Sequence, residues 1–392
     1  MPPNNKPSIA LRFENLNRET RNVKSFRIQS SYMTSTDAFD VTIYEPKVAN
    51  IRGLELQPVT LYLDGNIQML GRVERTTIGA SGLAIQLSGR DYIADLVESH
   101  VDMTLKIKKG ETLGKAIELA AGPVGIISVT GDRGVIWRNA RTGANVRSGG
   151  KAPVDFVKVK QDEYKPKPGE GTYQFCNRLA ARHGATIQPM DDRTVLNLTA
   201  PDYEQETIGE LFRSFSKPPG ASNNIVSGVA TRNYSKFPTF TKGVGKVPKG
   251  GKKSTLSFTQ EVDLSTLPAT GLVHEGRIKP SEGPKPAAEQ YKLYRMLYIK
   301  DEQAKNAEQL DKACLRAIAE RSKDFLQYQA TVKGHQNPAT GFTWGQDTLV
   351  YVKDEVCDID EPLWVESVTF EYDEERGATT QLICWRPGAF II

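Results

Sequence analysis

The chain has 392 residues, of which 25% are charged, with a formal net charge of only +4. This balance excludes a protein that grips nucleic acid or anionic membrane by bulk charge. The length exceeds what one hydrophobic core usually serves, so roughly two to four domains are expected.

Residues 8 to 100 hold short β-like runs separated by turn signals: SIALRF, VKSFRIQSS, AFDVTIYEP, PVTLYLDG, IQMLGRVERTTIG and GLAIQLSGR, with Asp64-Gly65-Asn66 joining the fourth and fifth. Strands this short, about ten residues apart, predict a small antiparallel barrel or sandwich, and RDYIADLVES then reads as a helical turn at one end. The period next changes. GETLGKAIELAAG and GTYQFCNRLAARHG read as helices ending on Gly122 and Gly184, the residue favoured just past a helix C-terminus. Between them, 125–165 is rich in Gly, Arg and Asn and reads as an irregular insertion.

ATIQPMDDRTVLNLTAP reads as strand, Asp-Asp-Arg turn, strand; NNIVSGVATRNYS and FPTFTKGVG read as extended; KGVGKVPKGGKK reads as a loop. From about Pro286 to Phe325 an i, i+3, i+4 stripe through Tyr294, Leu297, Tyr298, Ala304, Ala307, Leu310, Cys314, Ala317 and Ile318 predicts one or two amphipathic helices. Strands return in QYQATVKGH, GFTWGQDTLVYVKD and PLWVESVTFEYD. The chain closes on a hairpin through DEERG, read as a five-residue loop.

Chemistry is sparse. Cys176, Cys314, Cys357 and Cys384 lack the spacing of a metal or disulfide framework, which fits reduced, mostly buried thiols. His100, His183, His274 and His335 sit in four segments without a nearby second ligand, so no metal is expected, and His335, in a turn-rich stretch, reads as a surface hydrogen-bonder. The carboxylate pairs Asp191-Asp192 and Glu374-Glu375 have the composition of a glycoside-cleaving acid and base, but both lie at hairpin tips, where such pairs usually serve solubility. KIKKGETLGKAIELAAG has the basic strand, Gly-Thr and helix that open a glycan-binding LysM repeat, without a clear second strand. Lys242, Lys246, Lys249, Lys252 and Lys253 lack interleaved aromatics and read as a solvated loop able to touch phosphates only electrostatically. No P-loop, GxSxG or GxGxxG pattern occurs. The opening MPPNNKPSIALRF has no signal-peptide pattern and no run approaches a membrane span, so synthesis in a cytoplasm without a signal peptide is expected.

One collinear set of motifs remains: GTYQFCNRLAARHGATIQPMDDRTVLNLTAP, then an Ala- and Arg-rich helix, VKGH, TWG with VYVKD, LWVESVTFEYD, and a closing RPGAF. It resembles the baseplate hub proteins of contractile-tailed phages, specifically the Mu-like tail hub proteins related to phage late-control protein D and to the N-terminal part of the secretion-system VgrG spike proteins. The resemblance spans residues 170 to 390, and 1 to 100 in strand pattern alone.

It implies a mainly β chain with α+β parts: two similar tube-like antiparallel barrels plus inserted helical and α+β domains. The expected divisions are a first barrel over 1–100, an α+β connecting domain over 101–190, a discontinuous second barrel from 191–245 and 326–392, and a lysine-rich loop with helical insertion over 246–325. It further implies a virion protein with no enzymatic activity, catalytic residue or cofactor. The expected unit is a homotrimer joining a sixfold tail tube or tube initiator on one face to a threefold central spike on the other. Further contacts would be with baseplate wedge or tape-measure proteins, with no small-molecule substrate and no membrane. A wall-binding or wall-degrading tail protein is the alternative.

Overall fold

The computed structural model describes residues 7–44, 53–79, 84–108, 110–131, 136–138, 145–147, 158, 165–203, 205–215, 223–233, 235–236, 240–249, 252–261, 296–301 and 307–389. The fold is mainly β, as the sequence predicts. Seven strands come from the N-terminal stretch: β1 (Ile9–Phe13), β2 (Arg18–Thr20), β3 (Val23–Ser31), β4 (Ala38–Tyr44), β5 (Pro58–Leu63), β6 (Asn66–Ile78) and β7 (Ala84–Asp91). They pair in the order β3-β4-β7-β6-β5-β1-β2. Period-2 alternation drives this: Val23, Phe26 and Ile28 of β3 and Phe39, Val41 and Ile43 of β4 all face one core. At the β5–β6 turn, Leu63 pairs with Asn66 and both Asp64 and Gly65 take positive φ, as a two-residue type I′ hairpin requires.

After α1 (Ala94–Glu98), a separate α+β unit follows. Helices α2 (Leu113–Ala121) and α3 (Thr172–Arg182) pack on β8 (Ser128–Gly131), β11 (Thr186–Pro189) and β12 (Val195–Thr199), in sheet order β11-β12-β8. Short strands β9 (Ile136–Arg138) and β10 (Asn145–Arg147) pair with each other; most of the expected irregular insertion lies outside the described residues. The boundary expected at 190 moves beyond 199. The tight turn at Asp191-Asp192 ties β12 antiparallel to β11, inside this unit.

Six further strands complete the large sheet: β13 (Thr207–Arg213), β14 (Ile225–Thr231), β18 (Gln327–Lys333), β19 (Thr348–Asp354), β20 (Ile359–Asp373) and β21 (Gly377–Trp385). Their order is β14-β18-β21-β20-β19-β13. Strands 225–231 and 348–373 thus belong to one hydrogen-bonded sheet despite the long stretch between them. The β20–β21 loop is shorter than expected. Asp373 pairs with Gly377, leaving the three residues Glu374 to Arg376, and Gly377 takes φ 78°, the left-handed position of a three-residue hairpin.

Two expectations in the intervening stretch fail. The lysine segment is not a loop but a hairpin of β15 (Phe240–Lys249) and β16 (Lys252–Glu261), in which Lys249 pairs with Lys252. The predicted helix begins only at Ala307 (α4, Ala307–Ser322), because Met296–Asp301 forms β17, parallel to β15. MLYIKD carries apolar residues that fit either period, and so short a run cannot separate them. Tyr294 and Ala304 lie outside the described residues. Cys314 and Ile318 on α4 are buried, whereas Tyr298 stays exposed.

Candidate functional site

The two strand groups join through one strand. β20 pairs with β19 over 359–365 and with β3 over 367–373, while β21 flanks it over 364–373. The register shifts between Val365 and Ser367, so the bulge that leaves Glu366 unpaired in the ladder lies where β20 changes partner. Residues Leu363 to Phe370 are buried on both faces. Such burial makes this strand interior to the molecule.

Polar groups converge on the bulge. The Ser31 hydroxyl donates to the Glu366 carboxylate, and the Tyr32 amide donates to the Glu366 carbonyl at 2.9 Å. Tyr32 stacks edge-on against Trp364, and its carbonyl accepts from Gln188 Nε2 of β11 at 3.1 Å. The β3–β4 loop therefore touches both strand groups and the α+β unit. Beside it, Asp37 and Asp91 are buried: the Ser31 amide donates to Asp37 Oδ1 at 3.0 Å, and the Asp37 amide donates to Asp91 Oδ2 at 3.1 Å. Burial pushes the Asp37 carboxyl up to about 6 and that of Asp91, with Asp37 nearby, to about 8. Both adjoin a cavity of about 270 Å³.

A second polar cluster lies inside the later strand group. Asp354, fully buried, accepts from Arg213 Nε at 2.9 Å and Nη2 at 2.6 Å, and from the Tyr328 hydroxyl at 2.6 Å. Burial pushes this carboxyl up, but the bonds from Arg213, Tyr328 and Cys357 outweigh it and leave it below the usual range. Where the outer strands β13 and β14 meet, Phe212 N donates to Asn224 Oδ1 at 2.8 Å, Asn224 Nδ2 to Glu210 O at 2.7 Å, and Ser214 N to Asn223 Oδ1 at 3.1 Å. These side chains substitute for a backbone ladder between the two strands.

Most residues singled out in the sequence lie apart from these clusters, but Asp191 lines the cavity beside Asp37 and Asp91, and Cys357 bonds to Asp354. Asp191-Asp192 and Glu374-Glu375 occupy two separate hairpin turns, and Asp192 uses its carboxylate to accept from Thr194 N and Oγ1. His335 is not at the surface. It is 3% exposed, against the Phe26 and Phe370 rings, with Nδ1 3.1 Å from Thr380 Oγ1, and burial lowers its pKa to about 4. The Gly334 carbonyl and Phe26 of the other strand group draw the turn inward, which local composition does not reveal. His100 is exposed, His183 caps α3, and His274 lies outside the described residues. Cys176, Cys314 and Cys384 are buried and Cys357 is half-buried. Among the described residues no group of three or more His, Cys, Asp or Glu could hold a metal ion, and no helix is long and apolar enough to cross a membrane.

The junction residues Asp37, Asp91 and Glu366 escaped sequence reading, since a lone carboxylate at a strand end or bulge has no spacing signature. Asp354 did have one: it follows Val350 and Val352 at period 2, on their inward face.

No protein-family model matches the chain, and no curated protein matches it. Solved structures do. The tail protein from Neisseria meningitidis MC58 superposes with a TM-score of 0.69 at 19% identity, over 98% of this chain and 99% of that one. The 43 kDa tail protein of prophage MuSo2 from Shewanella oneidensis gives 0.65 at 18% identity, over 98% and 99%. A chain of the Francisella PdpA-VgrG complex gives 0.52 at 8% identity, over 99% of this chain and 59% of that one. In fold, the chain is therefore similar to these tail proteins and to a chain of the PdpA-VgrG complex along nearly its whole length.

Proposed function

We propose that the chain is the structural hub of a contractile-tail baseplate, a homotrimer that adapts a sixfold tail tube to a threefold central spike in the virion. The observation that carries this reading is the pairing of two strand groups, antiparallel except for β13 beside β19, side by side through β3 and β20. If each group closes as a tube-like barrel, three copies of the chain set six barrels around one axis, and closed cyclic assembly is the usual way to share such an axis. The second barrel would be discontinuous, drawn from about 205–231 and 327–389, with β15 to β17 and α4 inserted between.

Side-by-side groups joined by a doubly buried strand suit a rigid spacer better than a cleft. The tail-protein fold agrees with a role in shape and contact, and the carboxylate pairs at hairpin tips offer no enclosed acid and base. Exposed apolar side chains, Phe215 at 82% and Val229 at 60% exposure, offer contact area for neighbouring subunits or tail proteins. Light scattering of the purified chain and cryo-EM of assembled particles test the reading. A trimer on the tail axis between tube and spike is expected. A monomer at micromolar concentration, together with no threefold density at that position, would sink it.

A further inference from the structure

The β3–β4 loop, Ser31 to Asp37, is held by bonds from three directions: Glu366 of β20, Gln188 of β11, and Asp91 at the end of β7. The tie to β7 is mutual. The Asp37 amide donates to Asp91 Oδ2, the Asp91 amide donates to the Asp37 carbonyl at 3.1 Å, and the Ile93 amide holds Asp91 Oδ1 at 3.1 Å. Two buried carboxylates are thus fixed beside one another by backbone hydrogen bonds.

No cation of the described residues pairs with either. Arg90, next in sequence, turns to Glu74 and Glu98, and Arg72 pairs with Asp95 on α1. The other charged groups near the pair add negative charge: Glu366 from β20, and Asp191 from the β11–β12 turn, which lines the same cavity; the neutral phenols of Tyr92 and of Tyr173 on α3 also lie near Asp91. From β6 and the β18–β19 connection come the neutral Gln68, Trp344 and Gln346. Trp344 is 2% exposed, and neither its indole N–H nor the Gln346 amide oxygen has a protein partner, so the cavity is polar and roomy enough for water to carry protons to the pair.

We propose that the Ser31–Asp37 loop is a proton-controlled latch: it stays closed against the junction while at least one of the neighbouring Asp37 and Asp91 carboxyls is protonated, and loss of the last proton releases it. Two adjacent carboxylates without a counter-charge in a low-dielectric site cannot both ionise without repulsion. The raised pKa values, about 6 and about 8, set the window. A raised acid contributes stability that is complete below the ordinary carboxyl range and is lost as pH rises through the folded value. The latch is therefore closed in acid and opens toward pH 8 and above, loosening the contact among both strand groups and the α+β unit.

Hydrogen exchange of the full chain, read by mass spectrometry and corrected for intrinsic rates, tests this. Between pH 6 and 9, protection of peptides covering Tyr32 to Asp37 should fall roughly tenfold or more relative to peptides within β5 and β6, tenfold being one pK unit of altered proton affinity. In Asp37→Asn the amide carbonyl can still accept from Ser31 and one of the two acids is gone while Asp91 stays buried, so the fall should shrink; in the double variant Asp37→Asn/Asp91→Asn it should vanish. Glu366→Gln, which leaves the pair intact, should retain it. Absence of the fall in wild type, an undiminished fall in D37N, its persistence in the double variant, or its loss in E366Q alone would each overturn the proposal. If D37N fails to fold, D91N takes its place with the same expected result.

Discussion

Strands β1 to β7 follow one another along residues 9–91, whereas the other strand group is assembled from three separated stretches, 207–231, 327–333 and 348–385. The first group sets its register largely through hairpin turns and fills its interior with side chains such as Leu11, Phe13, Ile28 and Leu61, all fully buried. Its buried acids, Asp37 and Asp91, lie at its end, in the junction. The second group lacks a turn between most neighbours and places Arg213, Tyr328 and Asp354 among its inward residues. Apolar burial is non-directional and tolerates slippage along a strand, while a bidentate ion pair fits one register only. Distant segments must also meet against the entropy of closing long loops. The comparison assigns directional polar contacts to the place where chain connectivity gives no register.

The sharpest way to break this contrast is Asp354→Ala. It strands the Arg213 guanidinium and the Tyr328 hydroxyl inside the protein, and losing one partner of a buried pair costs about 3–5 kcal/mol. Urea unfolding followed with hydrogen exchange should show the loss concentrated in β13, β14, β18 and β19, with β4 to β7 retaining protection. A uniform loss across both groups would mean that they unfold as one unit and that the register argument is misplaced.

His335 probes the seam between the groups through pH. Its folded pKa, lowered by burial to about 4 from about 6.5, makes the native state favour the neutral ring. Stability from this residue is therefore complete above pH 6.5 and is lost as pH falls toward 4, by about 3 kcal/mol for a shift of this size. This acid limb has the opposite sign to the Asp37 and Asp91 limb, which costs stability as pH rises. In His335→Phe the loss between pH 6.5 and 4 should shrink; an unchanged acid limb would assign it to other groups.

The same contrast explains what the sequence discloses. All six N-terminal runs read as strands are strands, because alternation and turn residues are local. Only the three-residue β2 escaped. In the second group β18 to β21 were legible for the same reason, but β13 was missed: TIGELFR has glycine and glutamate breaking its alternation and gains its order from parallel pairing with β19, 142 positions later at Thr207↔Leu349 and 141 at Arg213↔Asp354. Strand β17 was taken for helix because its ladder partner β15 is likewise remote. The junction was illegible, since Asp37, Asp91 and Glu366 become neighbours only once β3, β7 and β20 are in place.

Gly89→Ala tests the first group by its own means. A methyl at Gly89 would lie 1.9 Å from the Arg72 carbonyl oxygen and 2.7 Å from the Phe39 ring, so β6 and β7 must separate. Overpacking of this kind costs about 1–3 kcal/mol, and the loss should centre on β4, β6 and β7. A smaller effect is expected for Asn224→Ala, which removes both side-chain bonds to β13; at about 0.5–1.5 kcal/mol for each bond, the β13 amides should lose protection before those of β19. Equal loss in β19 would show that the clip does not act locally.

The smallest effect is expected where the sequence offered its most enzyme-like residues. Glu374 and Glu375 occupy the β20–β21 turn, where Asp373 already supplies the turn's carboxylate by accepting from Glu375 N at 2.9 Å. Asp191 and Asp192 occupy the β11–β12 turn, and among the described residues the Asp192 side chain bonds to Thr194. Neither turn alone carries the register of its strands, because β20 and β21 are also held by β3 and β18, and β12 by β8. Alanine at all four positions should therefore leave the Tm within about 2 °C of wild type, as for surface changes outside caps and cores. Incubation with cell-wall glycan should give no release above background in either protein. Cleavage by wild type that disappears in the quadruple variant would make these turns a catalytic site and remove the basis for reading the chain as a purely structural hub.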